Sequence, residues 1–141
     1  MSTKSRNILA ALAGCFLGSV VNMGIIILGP KVIPFPDGVD MSNMDKFAEN
    51  LMLFRPANFI APWLAHALGT MVGAFFAAKI AATQKTTFAF GIGTFFLVGG
   101  IVMVTLYGGP LWFVLADLFA AYLPMAYVGG MLAGANQPQE S

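Results

Sequence analysis

The chain has 141 residues, of which 58% are hydrophobic and only 9% are charged. This composition leaves too little polar surface for a soluble globule of this size and favours one transmembrane domain over residues 1–141. Seven Lys and Arg residues against six Asp and Glu residues give a net charge of +1, which excludes the basic surface typical of nucleic-acid binding.

Four stretches of the sequence are long and apolar enough to cross a bilayer as α-helices. They are residues 8–28, 59–82, 88–107 and 111–133. A hydrocarbon core about 30 Å thick needs roughly 20 residues at a rise of about 1.5 Å each. The breaks between the stretches contain proline, glycine or polar residues, and Gly29-Pro30 is expected to end the first helix. We therefore predict an all-α, up-down-up-down bundle of four membrane-spanning helices.

The first span, residues 8–28, carries a row of small residues. Gly14 and Gly18 recur four residues apart, and such rows let helices approach closely in membranes, where burial of apolar faces offers no driving force. We interpret the row as a helix-packing face that could equally serve self-association. Asn22 continues the same row and places an amide inside the span.

The outer loop that follows, residues 30–57, is the longest polar segment of the chain. Residues 42–54 predict a short amphipathic helix that lies flat on the membrane or caps the bundle, because apolar residues recur there at helical spacing. Those apolar residues are Met41, Met44, Phe47, Leu51 and Phe54. Asp40 or Ser42 is the expected cap of its N-terminus.

The second span, residues 59–82, combines a packing face with a polar one. Gly69 and Gly73 form a second row of small residues, which we also interpret as a packing face. Beside this row, His66 and Thr70 lie one helical turn apart. We therefore expect His66 to point into the bundle rather than toward lipid.

The fourth span, residues 111–133, brings in the only acidic residue of the predicted spans, Asp117. We expect Asp117 to face the interior of the bundle, because its row continues as Ala121 and leaves space for a partner helix. Pro124 in this span and Pro62 in the second span are each expected to kink their helix, since proline lacks a backbone N–H.

Polar side chains inside the spans are costly in hydrocarbon and indicate a functional site by default. They are Asn22, His66, Thr70 and Asp117. Asn22, His66 and Asp117 fall at a similar level in the outer half, and the simplest arrangement pairs His66 with Asp117, so that each lowers the desolvation cost of the other. Two interpretations stay open: a latch that fixes helix packing, and a ligand-binding or proton-transfer site.

Orientation follows from the basic residues near the ends of the spans. Lys4, Arg6, Lys79 and Lys85 fall on one side, and Lys31, Lys46 and Arg55 fall on the other. The second group is interleaved with acidic residues of the outer loop. Because basic residues are enriched on the cytoplasmic side, we predict that both termini are cytoplasmic.

The sequence contains no motif for nucleophilic or metal-dependent catalysis. There is no GxSxG, no HExxH and no Walker loop, and the chain has one histidine and one cysteine. These features favour a protein that is not an enzyme, with no catalytic residue, no metal ligand and no cofactor indicated. An enzyme would need an acid such as Asp37, Asp40 or Glu49 from the outer loop close to His66.

Part of the chain resembles a group of small uncharacterised bacterial inner-membrane proteins. The resemblance covers the first span, the outer loop and the second span. It rests on Asn22-Met23-Gly24, Leu28-Gly29-Pro30, PFPDGVD at 34–40 and PWLAHALGT at 62–70. It implies a bacterial inner membrane and suggests that the outer loop and His66 belong to one unit. No activity is established for the group, so the resemblance implies none.

Besides the membrane-embedded enzyme considered above, two hypotheses for function come from these features. The first is a multi-pass membrane protein that acts by helix–helix association with itself or with another membrane protein, through its rows of small residues. The alternative is binding or transport of a small molecule, lipid or ion at a site around His66 and Asp117. The expected partners are the lipid bilayer and either a second copy or another membrane protein, and nucleic acid is not expected.

Overall fold

The computed structural model describes residues 1–135, and these residues form helices joined by short connections, with no β-strand among them. The helices are α1 (Thr3–Val32), α2 (Phe47–Leu53), α3 (Ile60–Ile80), α4 (Lys85–Tyr107), α5 (Leu111–Ala120) and α6 (Leu123–Leu132). Short 3-10 turns, Met44–Lys46 and Pro56–Phe59, lead into α2 and α3. The prediction of an all-α fold is confirmed for this part of the chain.

Within residues 1–135, four helical stretches are long and apolar enough to cross a membrane, as predicted. They are Thr3–Val32, Pro56–Ile80, Lys85–Tyr107 and Leu111–Leu132. The predicted end of the first helix at Gly29-Pro30 is wrong, because α1 continues to Val32. Pro30 removes one backbone donor, but the Ile33 N–H still donates to the Gly29 carbonyl at 2.9 Å and closes the turn around the proline.

The fourth stretch is not one kinked helix but two helices. α5 ends at Ala120 and α6 begins at Leu123, and Tyr122 between them leaves the helical region with φ −112° and ψ −81°. Pro124 therefore lies in the first turn of α6, where a missing N–H costs no hydrogen bond. Pro62 similarly lies in the first turn of α3, which runs unbroken to Ile80.

α3 is the central helix and contacts α1, α4 and α6. Its contact with α1 is made by the two rows of glycine. A Cβ atom built on Gly14 would lie 2.8 Å from the Gly73 carbonyl oxygen, and one on Gly18 would lie 2.7 Å from the Gly69 carbonyl oxygen. Only glycine fits so close a backbone approach. The contacts run in opposite order along the two helices.

The buried side chains of the bundle are mostly small, while many large apolar side chains face outward. Ala65, Ala74, Ala77, Ala78, Ala89 and Ala126 are buried. Leu12, Phe16, Phe95 and Phe119 are among the exposed large residues. This distribution is typical of helices that pack closely in a membrane and present their large side chains to lipid.

Residues 33–59, which we call the cap, fold over one end of the bundle. Two buried asparagines fix the course of the cap. The Asn50 amide donates to the Asp40 carbonyl at 2.6 Å and its oxygen accepts the Asp40 N–H at 3.2 Å. The Asn58 amide donates to the Pro34 carbonyl at 3.0 Å and its oxygen accepts the Arg55 N–H at 3.0 Å. Both asparagines thus join segments that are separate in sequence.

The amphipathic segment of the cap differs from the prediction at its N-terminus. The side chain of Asn43, rather than that of Asp40 or Ser42, accepts the Asp45 N–H at 2.9 Å, because the segment begins as a 3-10 turn at Met44. Asp40 instead accepts the Ser42 hydroxyl and, at 3.0 Å, the Ser42 N–H. These two bonds hold the pKa of the Asp40 carboxyl below its ordinary value.

The end of the bundle opposite the cap is joined by polar side chains of α1. Arg6 Nε donates to the Ile80 carbonyl at 2.6 Å and satisfies the C-terminus of α3. The Asn7 side chain accepts the Ala82 N–H at 2.8 Å and donates to the Thr83 hydroxyl at 3.0 Å. These contacts fix the α3–α4 connection against the start of α1.

Candidate polar site and cavity

A cluster of three polar side chains links α3 to the broken fourth stretch. His66 Nδ1 on α3 lies 2.8 Å from Asp117 Oδ1 on α5. The Tyr122 hydroxyl, in the break before α6, donates to Asp117 Oδ2 at 2.9 Å. The His66 and Tyr122 rings stack with centroids 5.6 Å apart and planes inclined by 26°. Each oxygen of the Asp117 carboxyl group therefore has a partner.

The break between α5 and α6 and a glycine on α4 together position this cluster. Tyr122 and Asp117 are 1% and 2% exposed, so both polar groups need partners inside the protein. A Cβ atom at Gly100 of α4 would lie 2.5 Å from the Tyr122 hydroxyl oxygen. Gly100 therefore leaves the space in which the phenol group reaches Asp117.

The four polar residues singled out in the sequence take different positions. The structure brings His66 and Asp117 into direct contact. Asn22 borders the same cavity as His66 and packs against Gly69, but it forms no hydrogen bond to the pair within residues 1–135. Thr70 is fully buried, does not line the cavity, and its hydroxyl has no partner in the described part of the chain.

A cavity of about 480 Å³ lies between the cap and the helices and reaches the polar cluster. This volume is within the usual range of about 300–1,000 Å³ for small-molecule sites. The helices contribute Met23, Ile26, Pro62, Met103, Val104 and Tyr107, and the cap contributes Phe35, Met41, Met44, Phe47, Leu51 and Phe54. His66 and Asp117 also line it. The apolar face predicted for the amphipathic segment therefore faces this cavity.

Aromatic contacts join parts of the cap to each other and join the cap to α4 beside the cavity. The Phe47 ring lies edge-on to Tyr107 of α4 with centroids 4.9 Å apart. Phe54 stacks on Phe35 at 5.0 Å and meets Phe59 at 5.3 Å. Such pairs add a modest stabilisation beyond the area they bury. The cap therefore forms one wall of the cavity rather than a separate surface.

The polar atoms available in the cavity are few. The His66 side chain is 25% exposed, and its Nε2 atom has no hydrogen-bond partner among residues 1–135. Asp37, Asp40 and Glu49, the loop acids considered for an enzyme, do not line the cavity. No group of three or more His, Cys, Asp or Glu side chains that could hold a metal ion occurs in the described residues. His66 can accept or donate one hydrogen bond in the cavity, and the polar side chains of Asn22 and Tyr107 also line it.

Comparison with protein-family models, with characterised protein sequences and with solved structures gave no match to this chain. A function therefore has to be inferred from the cavity and from the side chains that line it.

Tyr122 is the site residue that the sequence analysis did not single out. Tyr122 could have been found from its phenol hydroxyl, which lies inside an apolar span where an unpaired polar group is costly. It also lies two residues before Pro124.

Proposed function

We propose that this chain is a membrane protein of a bacterial inner membrane, with an up-down-up-down arrangement of its four spans and both termini in the cytoplasm. The four apolar helical stretches support insertion. Arg6 contacts the end of α3, so Lys4, Lys79 and Lys85 lie near one end of the bundle, away from the acidic residues of the cap. In this orientation the cap and the cavity face the outer side.

We further propose that the protein binds a small apolar or amphipathic molecule in the cavity beneath the cap. One observation carries this proposal: a space of about 480 Å³ with apolar walls reaches a histidine whose Nε2 atom is unpartnered among the described residues. Pockets that bind small molecules combine apolar walls with a few well-placed polar groups in this way. Ionisable residues inside spans also mark such sites.

Helix–helix association, the first hypothesis from the sequence, has less support in this structure. Gly14 and Gly18 lie against Gly69 and Gly73 of the same chain, so these rows are already occupied. A second copy or another membrane protein would have to use the large exposed side chains instead, such as Phe16 and Phe119. Ligand binding is therefore the proposal that the geometry favours.

The experiment fills the cavity and measures binding of an uncharged probe, para-butylanisole, by calorimetry in lipid nanodiscs. Val104 lines the cavity, and Val102 on the same helix is exposed and does not. We expect saturable binding to the natural protein and to Val102→Trp, and at least a tenfold weaker affinity for Val104→Trp, because the indole occupies the space. Equal binding by both variants, or no signal above empty nanodiscs, would contradict the proposal.

A further inference from the structure

The polar groups on the cavity wall restrict the chemistry of its ligand, and this inference rests on the binding function proposed above. The amide of Asn58 is engaged by the Pro34 carbonyl and the Arg55 N–H. Both oxygens of Asp117 are engaged by His66 and Tyr122. Of the described side chains that line the cavity, His66, Asn22 and Tyr107 remain able to bind a ligand through a polar atom, and none of the lining side chains is Lys or Arg.

The partners of Asp117 determine what His66 can offer. A carboxylate has no hydrogen to donate, so both of its contacts must be donors. The Tyr122 hydroxyl is one of them. The other is then the Nδ1–H of His66, and in the neutral imidazole the hydrogen on Nδ1 leaves a lone pair on Nε2. In this neutral form His66 faces the cavity as a hydrogen-bond acceptor.

We infer that the cavity selects an uncharged molecule with a hydroxyl group, which donates a hydrogen bond to His66 Nε2 while the apolar body lies among the Met and Phe side chains of the cap. An anion would meet no Lys or Arg on the wall and would lie near the Asp117 carboxylate. A cation would find no open carboxylate oxygen among the described residues of the wall, because Asp117 is 2% exposed and doubly hydrogen-bonded. An anionic or a cationic ligand would also lose its hydration against the apolar walls of the cavity.

The test compares para-butylphenol with its methyl ether, para-butylanisole, in nanodiscs by calorimetry. The two probes share an apolar body and differ in the ability to donate. We expect the phenol to bind about tenfold more tightly, the ratio that one such hydrogen bond supplies. In His66→Phe the ratio should fall to about one, while the affinity for the ether is retained.

A second variant keeps the inference testable if His66→Phe does not fold. In Asp117→Asn the side chain keeps its shape, its oxygen still accepts the Tyr122 hydroxyl, and its amide N–H₂ donates to His66 Nδ1. The hydrogen of His66 then moves to Nε2, which becomes a donor. The preference for the phenol over the ether should disappear in this variant, although the His66 side chain that meets the hydroxyl is unchanged. A merely structural role for Asp117 would leave the ratio at about ten.

The outcomes separate this inference from the proposed function. Equal affinities of the natural protein for phenol and ether, with binding still blocked by Val104→Trp, would overturn the hydroxyl inference and leave the binding function standing. Tighter binding of para-butylbenzoate or of para-butylbenzylammonium than of the phenol would also overturn it. The absence of saturable binding for all four probes would overturn both.

Discussion

The two ends of the bundle differ in how closely their helices pack. In the closed half, away from the cap, glycine rows bring the backbones of α1 and α3 into contact, as at Gly14 and Gly73. In the cap-side half, the same two helices border a cavity of about 480 Å³ whose walls are large, flexible or aromatic side chains. Close backbone packing between α1 and α3 in the closed half thus contrasts with the unfilled space beneath the cap.

The largest expected effect is in the closed half. A Cβ atom at Gly73 would lie 2.7 Å from the Gly14 carbonyl oxygen and 3.0 Å from Ile92 Cγ2, so Gly73→Leu forces α1 and α3 apart. We expect a loss of about 3 kcal/mol or more of stability, read as a lower thermal midpoint in detergent. The control is Gly91→Leu on the exposed face of α4, where a Cβ atom meets nothing within 4 Å.

The same variants test whether the glycine rows serve association between chains. If Gly73→Leu kept its thermal midpoint and changed only the oligomeric state, the rows would be intermolecular contacts and the closed half would not hold the fold. If Gly91→Leu lowered the midpoint as much as Gly73→Leu, the comparison between the two halves would also fail.

The next effect is at the boundary between the halves, in the polar cluster. Tyr122→Phe removes the donor to Asp117 Oδ2 and leaves that oxygen buried without a partner. We expect a destabilisation of about 1 to 3 kcal/mol, measured as the shift in thermal midpoint against Tyr127→Phe. Tyr127 lies on α6 with its side chain partly exposed. Equal midpoints for the two variants would mean that the Tyr122 hydroxyl is not part of the support of Asp117.

The sequence supports some of these features better than others. Hydropathy and length locate four stretches, because an apolar run of about 20 residues is a strong signal. The contact between His66 and Asp117 is also foreseeable, since polar groups at one level of a bundle seek each other. The sequence does not predict which helices the glycine rows pack against. Gly14 and Gly73 indicate that close helix contacts are possible, but not whether those contacts form within one chain or between two chains.

Other features depend on tertiary contacts that no local pattern records. The break at Tyr122 lies inside a continuous apolar run, and hydropathy alone predicts a single helix there. At Pro30 the local pattern predicts a helix end that does not occur, because this proline lies inside α1. Asn50 and Asn58 fix the course of the cap over the cavity, and nothing in the local sequence marks either asparagine as buried.

The smallest expected effect concerns the cap alone. The Ser42 hydroxyl and N–H lower the pKa of Asp40 below its ordinary value of 3.8. Because the pKa of Asp40 is lower in the folded protein, its contact with Ser42 stabilises the cap at pH values above the ordinary pKa. This stabilisation is lost as the pH falls through the lowered pKa. We therefore expect the Ser42 amide resonance to titrate below pH 3.8, with the thermal midpoint almost unchanged because Asp40 is exposed.

Asp40→Asn should abolish that titration, and Asp37→Asn, a second exposed acid of the cap, should leave it in place. Because the closed half contains no part of this turn, resonances of Gly14 and Gly73 should not follow it. If they did titrate together with Ser42, the cap and the closed half would respond as one unit, and the cavity would have to be described as part of a single cooperative structure rather than as the open end of a rigid one.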